Sequence, residues 1–166
     1  MTASPILESF GSATAFTITN ANLATSATAG WVSNAIDNST NLYDDVLIMF
    51  DLAAVNTAPA NSKAIFCYAF ASIDGGTTYT ATGDGTPAGT EGTLTYPDVS
   101  TLPIVAPLLG VIPYPVQNKA IRATFSLAKC FGGILPPSWC IGMVNHSGMT
   151  LSVTSIKYME LKYTVG

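Results

Sequence analysis

The stretch Ala120 to Ala128 shows the chain's patterning most plainly, because Ile121, Ala123, Phe125 and Leu127 alternate with Ala120, Arg122, Thr124, Ser126 and Ala128. A period of two predicts a strand with one wet face. From Leu151 to Val165 the odd positions Leu151, Val153, Met159, Leu161, Tyr163 and Val165 are apolar, but Ser155 and Lys157 interrupt them while Ile156 and Tyr158 become apolar. A bulge or bend near Ser155 accounts for that change of phase. Tyr43 to Ala54 and Lys63 to Ile73 are apolar on both faces, across Val46, Leu47, Ile48, Met49, Phe50 and across Ile65, Phe66, Cys67, Tyr68, Ala69, Phe70. Strands of that kind are expected to be covered on both sides. Between them Asn56 to Ser62 is rich in Pro, Asn and Ala, and predicts that the two form a hairpin pair. Asp74 to Gly92 reads as a long flexible loop. Tyr96 to Pro115 carries Pro97, Pro103, Pro107, Pro113 and Pro115, a density that suits short edge segments and an extended connection rather than a central strand. A strand at Trp139 to Asn145 follows the turn Phe131 to Pro137, and Thr14 to Thr19 with Gly30 to Ser33 completes a count of about eight strands at sandwich-like spacing. The expectation is an all-β chain: a single antiparallel β-sandwich of jelly-roll type over residues 1–166, with residues 1–12 as an extended N-terminal arm. The sequence shows no internal repeat at the ~20–50-residue periods of solenoids and propellers.

Composition supports the same class. The polar complement consists of hydroxyls and amides, with 14 Ser, 21 Thr and 9 Asn. Thr favours strands, while Ser, Asn, Gly and Pro mark turns. Glu, Gln, Lys and Arg together number ten, too few to cover the wet faces of several helices. Charged residues make up only 10% of the 166 residues, against about 25% in ordinary domains.

The charge that exists is unevenly placed. Residues 1 to 62 hold Glu8, Asp37, Asp44, Asp45 and Asp51 and no basic residue, whereas Lys63, Lys119, Arg122, Lys129, Lys157 and Lys162 all follow. Complementary ends of this kind would steer head-to-tail self-association or docking on a basic partner, although few charges also fall unevenly by chance. With a net charge of −4, the chain lacks the clustered basic charge that displaces counterions from phosphates, so nucleic acid is not an expected partner. Membrane insertion is not expected either. The apolar runs Val46 to Phe50 and Ala64 to Ala71 fall far short of the ~20 residues that span a bilayer, and Leu102 to Ile112 is broken by Pro103 and Pro107. Met1 to Phe10 has a Glu and no basic stretch, unlike a secretory signal, so the chain reads as a soluble protein made in a cytoplasm.

Candidate chemistry is sparse. Cys67, Cys130 and Cys140 have no CxxC spacing and read as small core fillers. His146 is the only histidine; in Asn145-His146-Ser147-Gly148 it reads as a turn residue rather than a base. Asp44 and Asp45 are neighbours that point to opposite faces of a strand, and Asp45 and Asp51 share a face about 20 Å apart, too far for paired carboxylate catalysis. Asp74-Gly75-Gly76 and Asp84-Gly85-Thr86 suggest calcium loops, but they lack the spaced oxygen ligands, and turn chemistry explains them. The sequons Asn38-Ser39-Thr40 and Asn145-His146-Ser147 carry weight only in a secreted chain. Trp31, Trp139 and the tyrosines are either a sugar-stacking platform or core anchors, the latter being the expectation for Trp139. No catalytic, cofactor-binding or metal-binding residue is therefore expected, and the sequence does not name interface residues.

Three segments together carry a resemblance: Trp31 to Asp45 (Trp-Val-Ser-Asn-Ala-Ile-Asp-Asn-Ser-Thr-Asn-Leu-Tyr-Asp-Asp), Ser72 to Tyr79 (Ser-Ile-Asp-Gly-Gly-Thr-Thr-Tyr), and Phe131 to Trp139 (Phe-Gly-Gly-Ile-Leu-Pro-Pro-Ser-Trp). In combination they resemble the β-sandwich capsid decoration proteins (cement or auxiliary head proteins) of tailed bacteriophages, over roughly Trp31 to Gly148. The resemblance implies a non-enzymatic virion protein on the capsid surface, made in the host cytoplasm, homo-oligomeric, with the major capsid protein as partner and no cofactor. The alternative is a carbohydrate-binding β-sandwich module of a phage tail or fibre, used in host attachment with Trp31 or exposed tyrosines stacking on glycan. Low charge and doubly apolar strands suit a shell protein, because lasting interfaces are depleted in charge.

Overall fold

In the computed structural model, residues 5–19, 21–54, 64–80, 89–96, 102–113 and 119–165 are described. Alternating apolar residues draw these segments into strands that are almost all paired antiparallel in two sheets. In chain order they are β1 (Ile6–Phe10), β2 (Thr14–Ala15), β3 (Asn22–Leu23), β4 (Ala29–Val32), β5 (Ile36–Asp37) and β6 (Asp45–Ala54). Next come β7 (Ala64–Ser72), β8 (Gly92–Thr95), β9 (Leu108–Pro113), β10 (Ile121–Ser126), β11 (Ser138–Asn145) and β12 (Leu151–Val165). A four-residue helix, α1 (Leu102–Val105), precedes β9, and a 3-10 turn at Ala128–Phe131 follows β10. The first sheet runs β1-β12-β6-β10, with β2 and β3 also paired along β12. The second runs β8-β4-β11-β7-β9, with β5 on β11. The described residues thus hold twelve strands rather than about eight, and β2, β3 and β5 are two-residue pairings that leave little trace in a sequence pattern.

The inner faces of both sheets feed one buried cluster. β6 contributes Val46, Ile48, Phe50 and Leu52, β7 contributes Ile65, Cys67 and Ala69, and β11 contributes Trp139, Ile141 and Met143. Phe16, just beyond β2, enters this cluster and meets Trp31, Trp139 and Tyr158 at ring-centroid distances of 6.4, 6.3 and 5.0 Å. Burying a ring of this size contributes about 1.5–3 kcal/mol, and each well-placed aromatic pair adds about 0.5–1.5 kcal/mol.

β6 and β7 are not a hairpin pair. β6 lies between β12 and β10 in the first sheet, and β7 lies between β11 and β9 in the second. An apolar strand does not announce its neighbour; here the two strands form opposite walls of one core, and the connection between them, 55–63, lies outside the described residues. Their burial also differs. β7 is covered on both faces, since Tyr68 and Phe70 enter a second cluster on the far side of the second sheet. In β6, by contrast, buried Val46, Ile48, Phe50 and Leu52 alternate with half-buried Leu47, Met49 and Asp51, so among the described residues its outer face is only partly covered.

The second cluster also corrects the reading of Asp74 to Gly92 as a loop without core. Tyr79 is buried there with Val32, Leu94, Tyr96, Leu102, Ala106 and Cys140, and its hydroxyl lies 2.8 Å from Ser138 Oγ. The segment folds back where Thr80 donates its N–H to the Ala71 carbonyl; residues 81–88, Asp84 among them, lie outside the described residues. Proline-rich Tyr96 to Pro115 contains α1 and the edge strand β9, as its composition suggests. The alternation in β10 is as read, with Ile121, Ala123 and Phe125 packed on the inner cluster. The bulge in β12 falls between Val153 and Ser155. It moves the inward side chains from Leu151 and Val153 to Ile156 and Tyr158.

Close approach of backbones in the second sheet depends on Gly30. A Cβ at that position would overlap the Met143 carbonyl oxygen on β11. Gly30→Ala is therefore expected to destabilise the fold by about 1–3 kcal/mol, whereas Gly92→Ala, where a Cβ meets nothing within 4 Å, leaves the thermal midpoint nearly unchanged. Thermal denaturation followed by circular dichroism checks the pair.

Candidate interaction surface

Among the described residues, the titratable side chains singled out by the sequence do not converge on one another. His146 packs edge-on against Phe66 with centroids 5.7 Å apart, and its backbone N–H donates to the Ala64 carbonyl. The neighbouring Ser147 hydroxyl donates to Asn145 Oδ1 at 2.6 Å, so a Ser–His nucleophile pair is not formed. Asp44 and Asp45 serve the backbone: Asp44 Oδ2 accepts from the Tyr163 N–H at 2.6 Å, while Asp45 accepts from Ser126 Oγ at 2.7 Å and the Ala128 N–H at 2.8 Å. Asp51 pairs with Arg122 at 3.1 Å. Among the described residues no group of three or more His, Cys, Asp or Glu side chains could hold a metal. Cys67 and Cys140 are buried on opposite faces of the second sheet, and burial raises both thiols, Cys140 to about 12. Cys130 is half-buried beside the Leu108 carbonyl.

What the fold does leave partly open, among the described residues, is the outer face of the first sheet, where an apolar row runs beside polar Arg122, Thr124 and Ser126 of β10. Along the first sheet Lys157 stands opposite Met49, Met159 opposite Leu47 and Leu161 opposite Asp45. Beyond the end of β6 the same row continues, with Phe10 opposite Leu161, Glu8 opposite Tyr163 and Ile6 opposite Val165. Directly opposed residues share a face, and Ile48, Phe50, Ile156 and Tyr158 occupy the inner one, so this row lies on the outer face, although Leu161 in its middle is buried at 6% exposure. Ala13, Leu47, Met49, Thr124, Lys157, Tyr158 and Met159 line a shallow cavity of about 170 Å³ on it. The far end is a two-stranded ribbon of β1 and the last residues of β12, where Phe10 is 53%, Ile6 75% and Val165 77% exposed. Two strands without a third are marginal by themselves. The stretch 1–12 therefore contributes a paired edge strand at Ile6–Phe10, while residues 1–4 lie outside the described residues.

The sequence matches no family model and no curated protein. The face consequently has to be read from its own chemistry. Its Asp45 and the Asp51–Arg122 pair are already engaged, which leaves Glu8 at the ribbon end and Lys157 at the cavity end. These outward residues were present in the sequence as the odd positions of β12 after Ser155. Once the bulge turns Ile156 and Tyr158 inward, Met159, Tyr163 and Val165 must point out; the pattern carried that signal, but it reads equally as a second buried face.

The aromatic platform does not form around the tryptophans. Trp31 is 4% exposed and Trp139 fully buried, and the Trp31 indole N–H donates to Glu91 Oε1 at 2.8 Å. Burial raises the Glu91 pKa, but hydrogen bonds from Thr19 and Trp31 outweigh it and hold the carboxyl below its ordinary value. Both sequon asparagines are buried structural groups. Asn38 Nδ2 and Oδ1 bridge the Tyr43 backbone, and Asn145 Nδ2 donates to the Leu23 and Met149 carbonyls at 2.8 and 2.6 Å. Asn145→Ala would remove those bonds and leave the Ser147 N–H without its acceptor, with an expected loss of about 2–4 kcal/mol, measurable by urea denaturation.

Asp74 closes a turn rather than a calcium loop. Its Oδ1 accepts from Ser72 Oγ at 2.6 Å and from the Thr78 and Thr77 N–H groups at 2.9 and 3.2 Å, and these bonds, Ser72 first, lower its carboxyl from 3.8 to about 2. A lowered folded-state value means that the turn is fully supported above pH 3.8 and loses that support as pH falls through about 2. In an NMR titration the Thr77 and Thr78 amide resonances are expected to move with that low midpoint, and calcium at neutral pH is expected to leave them in place.

Proposed function

We propose that this chain is a non-enzymatic structural protein of a virion, a jelly-roll β-sandwich that decorates a bacteriophage capsid and stabilises it by binding the major capsid protein lattice. The observation that carries the reading is the unequal treatment of the two sheets. The outer face of the second sheet is sealed by the chain's own Tyr79, Leu94, Tyr96 and Leu102, whereas on the outer face of the first, among the described residues, Leu47, Met49 and Met159 stay half-buried and Phe10, Ile6, Tyr163 and Val165 stay exposed. A sheet left in that condition is finished by another protein surface. The strand order supports the jelly-roll part of the reading, since the chain changes sheet from β6 to β7, from β9 to β10, from β10 to β11 and from β11 to β12. No helix among the described residues is long and apolar enough to cross a membrane. The glycan-binding alternative rests on fewer residues than the sequence offered it, because Trp31 and Trp139 are core side chains.

Cryo-EM and mass spectrometry of the purified phage particle are the test. The expected outcome is density for this fold on the outer capsid surface at a fixed ratio to the major capsid protein, and heads lacking the chain that break at lower temperature. Particles without the chain, or with the chain confined to the tail tip, would overturn the proposal.

A further inference from the structure

We infer that the outer edge of β1 takes up an extended segment of another protein as an added strand, one that sets a basic residue opposite Glu8 between two apolar residues. The inference stands on the edge itself and does not rest on the virion reading. Residues opposed in an antiparallel ladder alternate between pairs that exchange hydrogen bonds and pairs whose backbone groups face away from each other. Gly11 donates its N–H to the Glu160 carbonyl, so that pair is of the first kind. The Leu161 carbonyl instead accepts from the Asp44 N–H, and the Tyr163 N–H donates to Asp44 Oδ2 at 2.6 Å, both on the side of β12 away from β1. Their partners Phe10 and Glu8 are therefore of the second kind, and so is Ile6 two residues further along. All three turn their N–H and C=O groups away from β12, along an edge that no described strand pairs. The Asp44 carboxylate closes the other margin of this ribbon, and among the described residues β1 is offered nothing equivalent. An edge in that state is a template for a further strand.

Side chains then choose the occupant. Ile6, Glu8 and Phe10 share one face and are all exposed, so an added strand lays its own side chains directly beside them. A second copy of β1, antiparallel and centred on Glu8, would make the same backbone bonds but set Glu8 against Glu8, and like charges directly opposite are unfavourable. Shifting that copy by two residues would set Glu8 against Ile6 or Phe10 and shorten the ladder. A Lys or Arg opposite Glu8, with apolar residues two positions to either side, satisfies both the charge and its apolar flanks.

Amide hydrogen exchange of the full chain, with and without the peptide Ser-Val-Thr-Lys-Thr-Val-Ser, tests this. In the free chain the Leu7 and Ser9 amides are expected to be protected and those of Glu8 and Phe10 open. Saturating peptide is expected to slow exchange at Glu8 and Phe10 at least roughly 10-fold. Replacing the peptide's Lys by Glu is expected to weaken binding roughly 5-fold at low salt, and Glu8→Lys to reverse that preference. Glu8→Pro removes one outward N–H and none that faces β12, so it is expected to leave the circular-dichroism spectrum unchanged and to weaken the peptide at least roughly 10-fold. Should that variant fail to fold, a peptide N-methylated at its Lys amide takes its place, with the same loss expected. A peptide that does not bind, binding indifferent to the charge exchange, or binding that leaves the Glu8 and Phe10 amides open would overturn the inference. So would protection of those amides in the free chain that grows with its concentration, which would make the occupant a second copy. Phage particles without the chain would overturn the virion role and leave this result standing.

Discussion

A β-strand points its side chains to two sides, so a strand that is apolar on both asks for two coverings, and this constraint organises the molecule. The first covering is mutual: each sheet seals the inner face of the other, around Phe16, Trp139 and Tyr158. The second has to come from segments that are not in either sheet's centre. Among the described residues the chain supplies Tyr79, Tyr96 and α1 for the second sheet and the fringe around Ala13 for the first.

Strand patterning made the all-β class legible, together with the alternation of β10 and the change of phase in β12. It left the pairing of β6 and β7 undetermined. A hairpin and a crossing between sheets demand the same apolar residues, and the choice is made by long-range packing of Ile48 and Phe50 against residues such as Ile141 and Met143. The short pairings β2, β3 and β5 each match only two residues to β11 or β12 and have no periodicity to read. Tyr79 was hidden for a different reason: one aromatic residue in a glycine-rich stretch looks like loop until a sheet is present for it to cover.

The candidate chemistry was legible mainly as spacing. The separation of Asp45 from Asp51 followed from strand geometry, and the structure gives each carboxylate its own employment at Ser126 and Arg122. The outward row of β12 was visible in the letters but ambiguous in meaning, because a sequence cannot say whether an apolar face is covered by the same chain or by something else. That distinction appears only when half-buried Leu47 and Met49 are compared with fully buried Tyr68 and Phe70.

The ribbon at the end of the first sheet joins Ile6 to Val165. Pairing between such distant positions costs loop-closure entropy that must be met before the contacts reward it. During synthesis β1 therefore has no partner until β12 has been made. The exposed side chains of the ribbon, Ile6, Phe10 and Val165, are therefore brought together only once β12 is in place.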